Sequence, residues 1–259
     1  MPSKTGKTPA SYYKSDVSVE QSTNVGFDST TRSIISGDGA KSAISLSDDV
    51  LSVQPVNDDS VGTLLCKNSG GSNILAVNTT DSKVLLGASQ VAANTQFKEM
   101  GLYDFSPTAG YHYPLIANTM HFESAYAGDN DWGNGADPAT TLDVSGLTAQ
   151  ENAVAVYWYL ENDITLDSVR FMATADGSAT LNFHLFAYTL DTSSNHGDLS
   201  SGVVHANGTV AATNATIKTG TFTLDTADID ANKVVVGFVE NVTDTSDVSV
   251  SFQIKYHIR

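Results

Sequence analysis

The sequence predicts an all-β protein: an N-terminal extended arm, a short β-rich meander and a C-terminal antiparallel β-sandwich that is jelly-roll-like in its strand count. Three observations carry this. Ser, Thr, Asn, Asp and Gly are abundant while Lys, Glu and Arg are scarce, which favours strands and turns over helices. Residues 61–87 set three short apolar runs between turn-forming residues. Residues 248–258 alternate apolar and polar side chains without a break, the pattern of a strand with one buried and one wet face.

The 259 residues, 41% of them hydrophobic, suffice for one large β-domain or two smaller units. Residues 1–40 are polar and weakly patterned, with Tyr12 and Tyr13 the only bulky apolar spot before Phe27. Lys4, Lys7 and Lys14 meet no acid in the first 14 residues. Such an arm is ordered only when a partner ties it down. Residues 41–95 form the meander. Its runs are Leu64-Leu65-Cys66, Ile74-Leu75-Ala76-Val77 and Val84-Leu85-Leu86, reversed at Asn68-Ser69-Gly70-Gly71 and at Asn78-Thr79-Thr80-Asp81-Ser82. Each run is too short to bury its own apolar face, so Leu65, Ile74, Val77, Val84 and Leu86 need something to stack against. Cys66 is expected to pack among them as a small hydrophobe. Residues 44–53 read as a looser turn of the same meander.

Residues 96–259 open on a window rich in rings, from Phe97 to Trp132. Either these rings pack a junction, or Tyr111, Tyr113, Tyr126 and Trp132 face outward as a ligand platform. Strands are then expected at residues 120–123, 153–160, 169–174, 181–188, 217–224, 234–240 and 248–258, with a weaker one near Val203. The run Ala153 to Leu160 reads as a strand covered on both faces. In the 181–188 strand, Leu181, Phe183, Leu185 and Ala187 share one face, and Phe186 and Tyr188 the other. About eight strands suit a two-sheet jelly roll, with an immunoglobulin-like sandwich as the competing topology.

Charge narrows the partners. The net charge is −16, and residues 120–259 hold 5 Lys and Arg against 18 Asp and Glu. Such a surface repels nucleic acid and anionic membranes. The absence of an 18-residue apolar run argues against membrane insertion, and one cysteine excludes a disulfide framework. The start lacks the apolar core of a secretory signal, so assembly in a cytoplasm is expected.

No catalytic residue, metal site or cofactor is expected. Asp129, Asp131 and Asp137 lie in the nearest thing to a calcium loop, but Gly133, Asn134 and Thr140 break the EF-hand pattern. An acidic surface loop is the preferred reading, with a looser Ca2+ site as the alternative. The six histidines show no ligand spacing; His184 and His257 each sit on a strand, where facing solvent or a threefold axis is open to them, and a structural role is preferred over metal ligation. The pairs Glu161/Asp163 and Asp228/Asp230 lie in exposed, turn-like sequence, which offers no setting for the paired acid chemistry of glycoside hydrolysis.

Gly70 or Gly71, Val77, Thr79, Lys83, Val84 and Gly87 fit the line "strand, x-x-G, strand, V-x-T-x-x-x-K-V-x-x-G". This pattern resembles a module of the trimeric β-rich stems of bacteriophage tail-fibre and head-fibre proteins, and it covers roughly a sixth to a quarter of the chain. The resemblance implies a homotrimeric structural protein of the virion, assembled in the host cytoplasm. Its arm, with Lys4, Lys7, Tyr12, Tyr13 and Lys14, would dock on other virion proteins of capsid or tail. Its head would adhere to a host surface glycan or protein without breaking bonds. A long repeat array and a chaperone segment are missing from the match. Two other readings stay open: a non-catalytic carbohydrate-binding β-sandwich module, and a tailspike-type depolymerase, which the lack of a carboxylate pair disfavours.

Overall fold

The computed structural model describes residues 17–20, 27–89, 91–117, 132–143, 151–193, 197–214, 216–243 and 245–259. Two compact units result, Met1–Asn94 and Thr95–Arg259. Lys4, Lys7, Tyr12, Tyr13 and Lys14 lie outside the described residues, as do Tyr126, Asp129, Asp131 and the strand expected at 120–123.

The first unit holds two antiparallel four-stranded meanders. One runs β1 (Val17–Val19), β2 (Arg32–Ser36), β3 (Lys41–Leu46), β4 (Leu51–Val53), in that order. The boundary expected at residue 40 therefore falls inside the β2–β3 hairpin. The second meander is β5 (Leu64–Lys67), β6 (Asn73–Asn78), β7 (Lys83–Leu86), β8 (Val91–Ala92). Its turns use the predicted chemistry. The Asn68 side-chain oxygen accepts from Ser72 N at 2.9 Å, and that of Asn78 accepts from Asp81 N at 3.0 Å.

Pairing fixes the faces of the second meander. Leu64 opposes Val77, which opposes Val84; Cys66 opposes Leu75, which opposes Leu86, which opposes Val91. These seven side chains therefore share one face. Leu65 and Ile74 lie on the other. Cys66 is exposed, contrary to its expected packing, because no second layer covers its face among the described residues.

The second unit is a jelly roll. Its strands are β9 (Thr95–Phe105), β10 (His112–Pro114), β11 (Trp158–Tyr159), β12 (Ile164–Ala175), β13 (Ala179–Leu190), β14 (Leu199–Ala212), β15 (Lys218–Thr221), β16 (Thr223–Leu224), β17 (Asp228–Ile229), β18 (Lys233–Asn241) and β19 (Val248–Ile258). One sheet has the order β10-β18-β13-β14-β16, and the other β15-β12-β19-β9. Counting only the eight principal strands in chain order, the sheets read 2-7-4-5 and 6-3-8-1, which is the double Greek key of a jelly roll and not the ABED/CFG order of an immunoglobulin domain.

Between the sheets, Phe183 from β13 meets Phe171 of β12 at 4.7 Å, Phe252 of β19 at 5.5 Å and Phe222 at 5.9 Å between ring centres. Phe222 interrupts the strand expected over 217–224: its N–H bonds Val169 O at 2.9 Å while its ring turns into the core. The β13 faces divide as read from the sequence. Leu181, Phe183, Leu185 and Ala187 enter this core, whereas Phe186 and Tyr188 enter a second cluster on the outer face of the sheet, with Trp132, Leu142, Val156, Leu199, Val234, Val236 and Phe238.

The expected strand at 153–160 is instead α1 (Glu151–Val156) followed by the two residues of β11. Ala153 and Val156, three apart, are buried and Val154 between them is exposed, so the run follows helical spacing. An unbroken apolar run carries no periodicity to separate the two conformations. The weak strand near Val203 is the longest among the described residues, at 14 residues.

Candidate functional site

The second cluster exists because residues 132–143 cross the outer face of the β10-β18-β13-β14 sheet. Leu142 and Leu199 exchange backbone hydrogen bonds at 2.8 and 2.9 Å, Gly202 N donates to Thr140 O at 2.8 Å, and Tyr188 Oη donates to Ala139 O at 2.9 Å. A Cβ on Gly202 would stand 2.3 Å from the Tyr188 ring and 3.1 Å from Thr140 Cα, so only glycine admits this approach. At Gly133, φ is +106° and a Cβ would meet Ala139 N at 2.6 Å.

At one end of this covered face three ionisable side chains converge. His112 on β10 pairs with Glu240 on β18, and His184 on β13 lies opposite Phe238, two residues before Glu240. The strand period puts all three on the same face. They are 1%, 6% and 5% exposed, and one ligand atom of each lies within 4.8 Å of the others. His112 Nε2 stands 3.8 Å from Glu240 Oε2, and the two imidazoles meet edge to face at 5.1 Å.

Neighbours orient two of the three groups. His112 Nδ1 donates to Gly133 O at 2.9 Å, since a carbonyl can only accept, and its Nε2 faces Glu240. Glu240 Oε2 accepts from Asn182 Nδ2 at 2.8 Å. The carboxylate of Asp137 approaches His184 Nδ1 at 3.6 Å from the solvent side. Among the described residues, His112 Nε2 and both nitrogens of His184 have no hydrogen-bond partner. Such an orphaned buried polar atom costs about 1–3 kcal/mol. Burial, with His112 beside it, pushes the His184 pKa down to about 4, so its imidazole is neutral. Two imidazoles and a carboxylate form an N2O donor set suited to a borderline divalent cation.

The other sequence candidates are placed differently. Tyr113 and Trp132 face inward, at 6% and 3% exposed: Tyr113 packs edge-on to Phe105 at 4.8 Å and its hydroxyl accepts from Thr108 N, while Trp132 packs on Phe238. Of that platform only Tyr111 is exposed among the described residues. Tyr103 is exposed as well and lines a groove of about 560 Å3 with Ile116, Met172, Ile217 and Ser251. His184 and His257 do not face solvent. His257 is buried, with Nδ1 3.0 Å from Asp167 Oδ1 at the β12 bulge. The carboxylates of Asp163 and Asp228 are held by Ala231 N and Thr165 Oγ1, and Arg259 bridges Asp228 and Asp230.

His205 is buried on β14 with Nδ1 donating to Thr226 O at 3.0 Å, and burial lowers its pKa despite that bond and the nearby Asp225 and Asp230; Lys233 lowers it further. Its folded pKa lies below the ordinary 6.5, so the unfolded chain takes up the proton first and stability is lost as pH falls below that value. His205→Asn, which keeps a donor near the Nδ1 position, is expected to lose less stability than the wild type between pH 7.5 and 5.5 in urea titrations. Equal losses would contradict this account.

No family model matches this sequence, and no curated protein matches it. Among solved structures, the chain is similar to one titled as infectious bursal disease virus, Gx strain, at 8% identity and TM-score 0.26, over 62% of this chain and 32% of that one. Another, an α-amino acid ester hydrolase, matches at 9% identity and TM-score 0.28, over 65% and 33%. The chain thus spans about a third of each of these proteins.

Proposed function

We propose that this chain is a structural protein of a bacteriophage particle: a homotrimeric fibre or decoration that docks by its N-terminal arm and displays the jelly-roll unit for adhesion to a host surface. One observation carries the reading. Among the described residues before Thr95, Ala76 is the only buried hydrophobic one, while Val17, Phe27, Leu51, Val61, Ile74 and Leu86 are all exposed. A stretch of this length without a core does not hold its fold in water alone. The seven-residue apolar face of β5–β8 carries no charge, so its complement is another apolar surface, and two further copies of the same face around a threefold axis supply it. The stem-like line from Val77 to Gly87 lies in this same meander. Fold-level analogy adds support, since jelly rolls recur in viral capsid and lectin domains.

Light scattering on the purified chain tests the proposal. A mass of three chains is expected. A clean monomer would overturn it and favour the carbohydrate-binding module, whose platform has already lost Tyr113 and Trp132 to the interior.

A further inference from the structure

We propose that His112, His184 and Glu240 form a structural zinc site that clamps the edge strand β10 and residues 132–137 onto the jelly roll. Neither composition nor the proposed virion role calls for such a site. The inference rests on a donor set that is complete in kind, buried, and otherwise unexplained.

Imidazole nitrogen with one carboxylate suits zinc and its first-row neighbours, whereas calcium and magnesium take oxygen almost exclusively. Ligands of one zinc ion at about 2.0–2.1 Å stand within about 4 Å of each other. His112 Nε2 and Glu240 Oε2, at 3.8 Å, already meet that spacing. The full set, within 4.8 Å, meets it after side-chain shifts of about an ångström.

The surrounding contacts are those a metal site requires. A ligating histidine commonly donates its other nitrogen to a backbone carbonyl, and a ligating carboxylate is itself hydrogen-bonded. His112 Nδ1 on Gly133 O and Asn182 Nδ2 on Glu240 Oε2 are these two contacts. Charge is balanced too. Zinc with Glu240 leaves one net positive charge, and the Asp137 carboxylate beside His184 offsets it. A water molecule, or Asp137 itself after a small movement, completes four-coordination.

The location explains what the ion does. β10 is only three residues long and pairs only with β18 among the described residues. Gly133 is bonded by both the N–H and the ring of His112. An ion joining β10, β18 and β13 fixes this short edge strand, and through Gly133 the segment that covers the outer face.

Metal analysis of the full, untagged chain tests the site. The chain is treated with a chelator, equilibrated with Zn2+ and freed of excess by gel filtration. About one zinc per chain is expected, with a raised melting temperature and, for Co2+ in its place, the intense visible bands of tetrahedral coordination. Glu240→Gln should weaken zinc binding more than 10-fold, and Asn182→Ala, which only releases the Glu240 carboxylate, by about 10-fold. A folded wild-type chain that takes up no zinc would overturn the proposal. Unchanged affinity in Glu240→Gln would do so as well; should that variant not fold, unchanged affinity in Asn182→Ala decides in the same direction. Zinc content and oligomer mass are separate readouts, so this site can fail while the trimer stands, and the reverse.

Discussion

Phe183→Ala is expected to destabilise the jelly-roll unit by about 3–5 kcal/mol, a large fraction of the roughly 5–15 kcal/mol that holds a folded domain. The ring is fully buried and, among the described residues, is the one side chain that touches aromatic rings from β12, β19 and the Phe222 inward turn together. Removing it opens a cavity that the flanking strands cannot close, because β13 is hydrogen-bonded to β14 on one side and β18 on the other. The three ring contacts add about 0.5–1.5 kcal/mol each beyond burial. Phe183→Leu, which refills much of the volume, should cost less than half as much. Near-UV circular dichroism in a urea titration follows this unit through its rings. A loss below about 1 kcal/mol for the alanine variant would mean that the ring cluster does not hold the two sheets together.

How far the sequence carries depends on whether a pattern is local. Val248 to Ile258 could be read because alternation needs only its own strand, and it breaks only at His257, where the β12 bulge brings Asp167 alongside. Both faces of β13 were legible for the same reason. The turns at Asn68 and Asn78 were legible because the side chain bonds its own neighbours. By contrast, β14 is long but looks weak, since Gly202, Asn207 and Gly208 interrupt its apolar pattern. Gly202 is there for the Tyr188 ring, a contact no spacing announces.

The histidine and glutamate cluster was invisible for a stronger version of this reason. Its members come from three strands far apart in the chain, and only the jelly-roll order, with β18 between β10 and β13, makes them neighbours. A faint signal did exist. Asn182 and His184 continue the outer face of Phe186 and Tyr188, and Glu240 continues that of Val236 and Phe238, so polar groups appear where the alternation predicts burial. A buried polar group in register with a core face implies a partner, although the sequence does not say from where.

Val77→Asp is expected to convert the proposed trimer to a monomer. Val77 is the centre of the uncovered apolar face, opposite Leu64 on one side and Val84 on the other. In a threefold stem this position points toward the other two copies, so the substitution places three carboxylates around one axis in apolar surroundings. Each would be desolvated without a partner, at a cost of several kcal/mol, and their mutual repulsion adds to it. Every 1.4 kcal/mol is a factor of ten in affinity, so the association constant should fall by several orders of magnitude. Thr80→Asp makes the same charge change in the exposed turn between β6 and β7 and should leave the mass at three chains. The jelly roll has its own core and should keep its near-UV spectrum in both variants. A Val77→Asp chain that still runs as a trimer would show that the β5–β8 face is not where the copies meet, because no apolar interface absorbs three unpaired carboxylates at its centre.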